Sequence, residues 1–293
     1  MVDVVYRFGE TDPGGPARPT TAREALRQLE EGNDRFASLF EPAVDGEAPR
    51  VVSVPAGRMS EGGLTGSGPE EALRHEPFAA VLGCADARVP IELIFGRAIN
   101  DLFVLRVAGN VLGSEVIGSL DYAIQHLPTV RAIVVLGHTS CGAVTAAADA
   151  YLDPASYLGL SAEHQLRSIV DQLFPAVRLV HSALVRSVGD GASDAPGFAA
   201  ALVATTVPVN AAIMASSLRS ELASYGFDEI EPAFGVYDLV THRVGVPATH
   251  DTGAPRTGLF APPSDAQGFR DLAAAVVEGP VVRALLEGAP IPS

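Results

Sequence analysis

The sequence predicts an α/β fold with a central, mostly parallel β-sheet that is flanked by helices and preceded by an N-terminal helical arm. Apolar, β-branched strands such as A-I-V-V-L at 132–136 alternate along the chain with segments of helical spacing. Continuous apolar strands are typical of a parallel sheet, because helices cover both of its faces. The 293 residues are 47% apolar, which is enough for a sizeable core.

The first elements lie before the alternating pattern. Residues 1–20 contain the breaker cluster D-P-G-G-P, and we expect them to be irregular. Thr21 and Glu24 have the spacing of a capping box, and the apolar residues after them have helical spacing through Phe40. Residues 41–74 are rich in Gly, Pro, Ser and Glu, and we interpret them as a long loop.

The alternating pattern begins near residue 78. We expect strands at 78–83, 102–107 and 131–136, and helices at 90–96, 114–127, 140–150, 161–186 and 197–224. Residues 230–246 predict one or two further strands at a sheet edge, and the Pro-punctuated tail predicts a helix at 268–287. We therefore expect a single α/β domain over 21–246 and a C-terminal extension over 247–293.

The net charge and the composition indicate which classes of partner the chain is not expected to bind. The net charge of −15 argues against binding to the phosphates of nucleic acids. The longest apolar runs are shorter than the ~20 residues that span a bilayer, so we expect no membrane partner. The N-terminal residues lack the apolar segment of a signal peptide. Two cysteines in so long a chain do not indicate a disulfide scaffold, and as thiolates they would suit a reducing cytoplasm.

Both cysteines follow predicted strands. Cys84 comes after F-A-A-V-L-G, whereas His138 and Cys141 lie at and just after the end of A-I-V-V-L-G-H. Ligands gather at the carboxyl ends of strands in open parallel sheets. Two thiolates and one imidazole form a three-ligand zinc set that leaves one position for chemistry. With no third cysteine, we expect one Zn²⁺ per chain, in a catalytic site or in one closed by an oxygen ligand.

Asp86 and Arg88 follow Cys84 at alternate positions. The Asp86 carboxylate could close the site as a fourth zinc ligand. Alternatively, a charge-assisted pair with Arg88 could keep Asp86 ionised and off the metal. The fourth position would then take a water, which zinc converts to a nucleophilic hydroxide that Asp86 orients.

The motifs C-A-D-A-R (84–88) and H-T-S-C-G (138–142) resemble those of the β-class carbonic anhydrases. The resemblance also includes E-G-N-D-R-F (31–36), D-L-F-V-L-R-V-A-G-N (101–110) and F-G-V-Y-D-L-V-T-H-R-V (234–244), and spans roughly residues 22–245. It implies zinc on Cys84, His138 and Cys141, and a catalytic dyad of Asp86 and Arg88. The implied reaction is that of a lyase, the reversible hydration of CO2 to bicarbonate and a proton, within a zinc-dependent catalytic domain at 21–246.

The resemblance also implies an assembly and a substrate pocket. The minimal unit would be a homodimer with its active sites at the subunit interface, and a tetramer is possible. The apolar pocket would include Phe103, Ala108 and Tyr122, some of them contributed by the partner subunit, and the backbone at Gly142. His75 stands where the family often has a Gln that donates to substrate; it could replace that donor, act in proton transfer, or be an ordinary loop residue.

Two further departures from the family pattern lie near the site. Ala87 replaces the Ser that usually stands between the Asp and the Arg, and Ala108 is smaller than the Val often found there. Both changes leave the ligand set intact. The chain also has no Trp, a residue that helps to form the inhibitory bicarbonate pocket of allosteric family members. This favours an open, constitutively active site.

Two rival functions remain open at this point. One is a hydrolase on the same scaffold that acts on a linear analogue of CO2, such as COS or CS2. The other is a non-catalytic zinc protein used for bicarbonate sensing or for assembly. The presence of both Asp86 and Arg88 argues against the second, because a structural zinc site needs no group that activates water.

Overall fold

The structure is a computed structural model that describes residues 2–7, 17–41, 50–55, 74–159, 164–189, 191–247 and 254–289. Most of the predicted 41–74 loop and the last residues of the tail lie outside these ranges. The strands are β1 (Val2–Arg7), β2 (Arg50–Pro55), β3 (Ala79–Gly83), β4 (Leu102–Arg106), β5 (Ala132–His138), β6 (Glu231–Tyr237), β7 (Val244–Val246) and β8 (Arg256–Thr257). The helices are α1 (Ala22–Ser38), α2 (Ile91–Ile94), α3 (Ser114–His126), α4 (Gly142–Leu152), α5 (Pro154–Gly159), α6 (His164–Val188), α7 (Phe198–Tyr225), α8 (Ala266–Val277) and α9 (Pro280–Leu286).

The central sheet has the strand order β4-β3-β5-β6-β7-β8. The first four strands are parallel, and β7 and β8 are antiparallel additions. Every residue of β3 and β5 is buried, as the continuous apolar pattern requires. The prediction of a mostly parallel α/β sheet is therefore confirmed. The expected edge position of 230–246 is wrong for β6, which pairs with β5 on one side and β7 on the other.

Helices cover both faces of the sheet. Residues that alternate along β3 and β5 point to opposite sides, because successive side chains of a strand do so. Val81 and Val134 belong to the core that α1 and α2 close, whereas Ala80 and Ile133 belong to the core under α3 and α7. A further apolar layer beyond α7 contains α4, α6, α8 and α9.

Helix α7 is the central helix of the fold. Among the residues described, it alone is long and apolar enough to cross a membrane, and 78% of its most apolar window is buried inside the structure. The sequence interpretation did not anticipate an apolar stretch of this length. In the structure α7 packs against β5, β6 and α6, so the protein core covers its apolar surface.

The predicted N-terminal helical arm is present as α1. The Thr21 Oγ1 atom accepts a hydrogen bond from the Glu24 N–H at 3.2 Å, and the Glu24 carboxylate accepts from the Thr20 N–H at 2.8 Å. The Asn33 side chain, which is buried, connects α1 to α2 and to the start of β7. Its amide donates to the Ile94 and His242 carbonyls, and its oxygen accepts from the Val244 N–H.

Three sequence interpretations need correction. Residues 1–20 are not wholly irregular, and 41–74 is not wholly a loop, because β1 and β2 pair in parallel from Val2–Arg50 to Arg7–Pro55. Both strands are rich in β-branched residues, but neither segment alone shows its distant partner. The single helix expected at 268–287 is two helices, broken at Gly279 before Pro280. The division into a domain at 21–246 and an extension remains a prediction.

Candidate metal centre

Two adjacent parallel strands bring Cys84, His138 and Cys141 together. Cys84 follows the last residue of β3, His138 ends β5, and Cys141 precedes the first residue of α4. Gly83 pairs with Leu136, so the two strands end at the same edge of the sheet. The three residues are buried, with exposed fractions of 5%, 0% and 1%. Their ligand atoms lie within 4.8 Å of one another, and the two Sγ atoms are 4.0 Å apart.

A tight turn allows His138 and Cys141 to face the same point. Ser140 adopts a left-handed backbone conformation with φ of +56°, which is uncommon for a non-glycine residue. The turn at Thr139 and Ser140 leads into Cys141, and α4 begins directly after this cysteine. The Cys141 sulfur therefore lies near a helix N-terminus, which favours the thiolate form that a metal requires.

The His138 ring is held in the tautomer suited to a metal ligand. Its Nδ1 lies 2.9 Å from the Thr139 carbonyl oxygen. A carbonyl oxygen only accepts, so Nδ1 carries the proton and Nε2 presents a lone pair. Within the described part of the chain, the buried Nε2 has no hydrogen-bond partner. A metal ion would satisfy this nitrogen, and the arrangement is typical of zinc ligands whose other nitrogen is fixed by a backbone carbonyl.

The two cysteines are poised to bind a cation. The Cys141 thiol donates to the Cys84 sulfur across the 4.0 Å that separates the two Sγ atoms, and this contact lowers the pKa of Cys84. The same contact and burial raise the pKa of Cys141. Without a metal the pair thus shares one proton. A divalent cation would displace that proton, and two thiolates with one imidazole are a donor set that zinc prefers.

Asp86 and Arg88 form a close pair beside the cluster. Arg88 donates to the Asp86 carboxylate from Nε at 3.0 Å, from Nη2 at 2.7 Å and from its backbone N–H at 2.9 Å. The hydrogen bonds from Arg88 lower the pKa of Asp86 to about 2, so this carboxylate is ionised at neutral pH. Its Oδ2 lies 3.9 Å from His138 Nε2, which places a fixed negative charge at the edge of the ligand cluster.

Sequence reasoning missed two residues that hold this region. The exposed Arg106 side chain donates to the Cys84 carbonyl at 3.0 Å and to the Asp86 carbonyl at 2.5 Å, and so fixes the loop between β3 and Arg88. Its position at the end of β4, next to the end of β3, was a usable signal. The other residue, Asn210 in α7, donates to the Gly109 carbonyl at 3.0 Å, and nothing in the sequence pattern marked it.

The predicted pocket residues fall into two groups. Ala108 lies in a 3₁₀ turn (Ala108–Asn110) that packs on the start of α4, and Gly142 is the first residue of α4. His75, Phe103 and Tyr122 form an aromatic row along edge strand β4, with ring centroids 5.8 and 6.5 Å apart. His75 is exposed and Tyr122 is 48% exposed. The substrate-binding roles of all five residues remain predictions.

Part of the chain is similar to known carbonic anhydrases. The family model described as "Carbonic anhydrase" matches residues 79–216. "Carbonic anhydrase 2" of Mycobacterium tuberculosis is 36% identical over 158 residues, which cover 53% of this chain and 64% of the relative. A carbonic anhydrase of Mycolicibacterium smegmatis is 42% identical over 103 residues, 35% of this chain and 47% of the relative. The chain therefore spans less than two thirds of the length of these curated relatives.

Solved structures show more distant similarity. A tetrameric β-carbonic anhydrase from Sordaria macrospora has a TM-score of 0.41 at 22% identity, covering 58% of this chain and 80% of that one. The β-carbonic anhydrase CafA of Aspergillus fumigatus has a TM-score of 0.41 at 19% identity, covering 68% and 82%. The sequence matches begin at β3 and include both cysteine motifs of the metal centre. The carbonic anhydrase family model thus matches the part of the chain that holds the metal centre, from β3 into α7.

Proposed function

We propose that this protein is a zinc-dependent carbonic anhydrase, a lyase that reversibly hydrates CO2 to bicarbonate and a proton. One observation carries the proposal: three buried ligand atoms of Cys84, His138 and Cys141 lie within 4.8 Å of one another, beside an ionised carboxylate. The matching family model and the mycobacterial relatives support the same activity. A purely structural zinc site has no use for such a carboxylate.

The residues around the cluster have separate roles in the proposed reaction. Zinc bound there would supply a Lewis acid that lowers the pKa of a coordinated water toward neutrality. His138 keeps its Nε2 directed at the site, because Nδ1 is bound to the Thr139 carbonyl. Asp86 Oδ2 would accept a hydrogen bond from the O–H of the attacking water, which would direct a lone pair of the water oxygen toward CO2. Arg88 fixes the direction of the Asp86 carboxylate.

The Asp86–Arg88 pair also favours an open metal site. Movement of Asp86 onto the metal as a fourth ligand would break its hydrogen bonds from Arg88 Nε and Nη2. Arg88 is itself anchored by a weaker bond from Nη2 to the Ser140 carbonyl at 3.4 Å. We therefore propose the open form as the resting state near neutral pH, with the fourth position left to water.

The proposed assembly is a homodimer or a higher homo-oligomer, including a tetramer. Strand β4 is an edge of the described sheet, and its apolar residues Leu102, Val104 and Leu105 are only partly buried. A second subunit would cover these residues together with the aromatic row of His75, Phe103 and Tyr122. We also propose a cytoplasmic location, since both thiolate ligands need a reducing environment.

The test is stopped-flow kinetics on the purified full chain with measured zinc content. CO2, COS and CS2 are offered in turn between pH 6.5 and 9. We expect rapid CO2 hydration and little turnover of the sulfur analogues. Turnover of COS or CS2 without CO2 hydration would replace the proposal with the hydrolase function. Bound zinc with no turnover of any substrate would replace it with the non-catalytic function.

A further inference from the structure

Asn210 is a buried polar residue in an apolar helix. It lies within α7, is 1% exposed, and donates from Nδ2 to the Gly109 carbonyl at 3.0 Å. Its Oδ1 is buried and has no partner among the described residues. A half-satisfied amide in a core destabilises the fold compared with an apolar residue of similar size. The hydrogen bond to Gly109 therefore calls for a reason other than stability.

The residue that Asn210 holds lies between the two cysteine segments. The Gly109 turn (Ala108–Asn110) follows Val107, whose N–H donates to the Gly83 carbonyl at 3.0 Å, directly before Cys84. Gly109 itself has φ of +68°, and a Cβ placed there would lie 3.2 Å from the Ala143 Cβ, two residues after Cys141. A displacement of this turn would therefore move the supports of both sulfur ligands.

The same turn contains Ala108, a predicted residue of the substrate pocket.

We propose that Asn210 is a positioning residue of the metal centre: by fixing the Gly109 turn, it holds the Cys84 and Cys141 segments at the spacing zinc requires. Asn210 touches neither the metal nor the substrate, and it acts through the turn alone. The inference rests on the proposed zinc site. Residues that orient metal ligands without binding the metal commonly change metal affinity 10–100-fold when they are replaced.

The test compares Asn210→Leu with Thr206→Val in the full chain. Leucine keeps much of the side-chain volume but removes the donor to Gly109. Thr206 lies one turn earlier on α7, and its buried hydroxyl has no partner in the described residues, so its loss serves as the matched control. Zinc affinity is measured by competition with a chelating dye. The thiolate-to-metal absorption bands are recorded after loading with Co²⁺.

We expect Asn210→Leu to weaken zinc binding about 10–100-fold and to alter the cobalt bands, with Thr206→Val within threefold of wild type and spectrally unchanged. An Asn210→Leu protein of wild-type affinity and spectrum would overturn the positioning role, even if its thermal midpoint fell. Wild-type protein that bound no zinc would overturn the zinc site as well, so the two failures are distinguishable.

If Asn210→Leu does not fold, hydrogen exchange of the wild-type, metal-free chain decides the question. The proposal requires a turn that is held in place before zinc arrives. We therefore expect slow amide exchange over residues 106–112 without metal. Exchange there as fast as in an unstructured peptide would overturn the inference.

Discussion

Replacement of Asp86 by Asn separates the catalytic role of this carboxylate from its structural role. In the wild type, Arg88 donates three hydrogen bonds to Asp86, at 2.9, 3.0 and 2.7 Å. An asparagine oxygen in place of Oδ1 would keep the bonds from the Arg88 backbone N–H and Nε. The new amide NH₂ in place of Oδ2 would face Nη2, donor against donor, and it would offer the attacking water no anionic acceptor.

The two expected effects differ greatly in size. Positioned acid–base groups contribute about 10²–10⁴-fold to rate, so kcat for CO2 hydration should fall by that factor. The Arg88 side chain is 56% exposed, and ion pairs in such positions contribute about 0–1 kcal/mol to stability. A change of that size moves the thermal midpoint of a chain this long by at most ~4 °C. Zinc content should stay near one per chain, because Asp86 is not among the three ligands.

The assay is stopped-flow hydration with zinc analysis and calorimetry on the same samples. Asp153→Asn is the matched control, since this exposed carboxylate accepts bonds from the Ala155 N–H and the Ser156 hydroxyl at the start of α5. We expect the control to retain wild-type turnover. An Asp86→Asn protein with turnover within threefold of wild type would refute the proposed role of Asp86, and one that lost its zinc would show that Asp86 is a ligand.

Three further predictions concern stability. Removal of zinc by a chelator should lower the thermal midpoint. A ligand that binds only the folded chain raises the free energy of unfolding by about 2.7 kcal/mol when its concentration is 100 times its Kd. A midpoint that zinc does not affect would contradict the metal site. Leu184→Ala should lower the free energy of unfolding, measured in urea, by about 2–5 kcal/mol, because Leu184 is fully buried in the layer of α4, α6 and α7. Zinc affinity should not change. A loss below about 1 kcal/mol would show that this layer is loosely packed. Burial lowers the pKa of His242 below its ordinary 6.5, so the unfolded chain binds more protons there and stability should fall as pH drops through 6.5. His242→Gln should flatten that part of the stability–pH curve, and an unchanged curve would assign it to other groups.

The metal centre could be predicted because its ligands follow strong strand signals. The apolar runs before Cys84 and through His138 identify two buried parallel strands, and such strands end at one edge. The alternate positions of Asp86 and Arg88 likewise predicted the pair that the structure contains. In these cases the signal in the sequence is local, because it consists of a short apolar run and the polar residues that directly follow it.

The features that were missed depend on contacts between distant segments. The Val-rich strands β1 and β2 pair in parallel, and this pairing joins residues nearly fifty positions apart. Asn210 is one of several polar residues in a largely apolar helix, and no pattern in the sequence distinguishes it from the others. Its partner Gly109 is 101 positions away, so only the packed structure reveals the contact.

The most direct test of the account is a titration of metal-free protein with zinc, followed by the rate of CO2 hydration. The account predicts that activity rises linearly with added zinc and reaches its plateau at about one zinc per chain. A Cys141→Ser chain should show no such rise at the same zinc concentrations, because one of the three ligands is lost. Activity that is absent at every zinc concentration, or that is independent of zinc, would contradict the assignment of Cys84, His138 and Cys141 as the catalytic metal site.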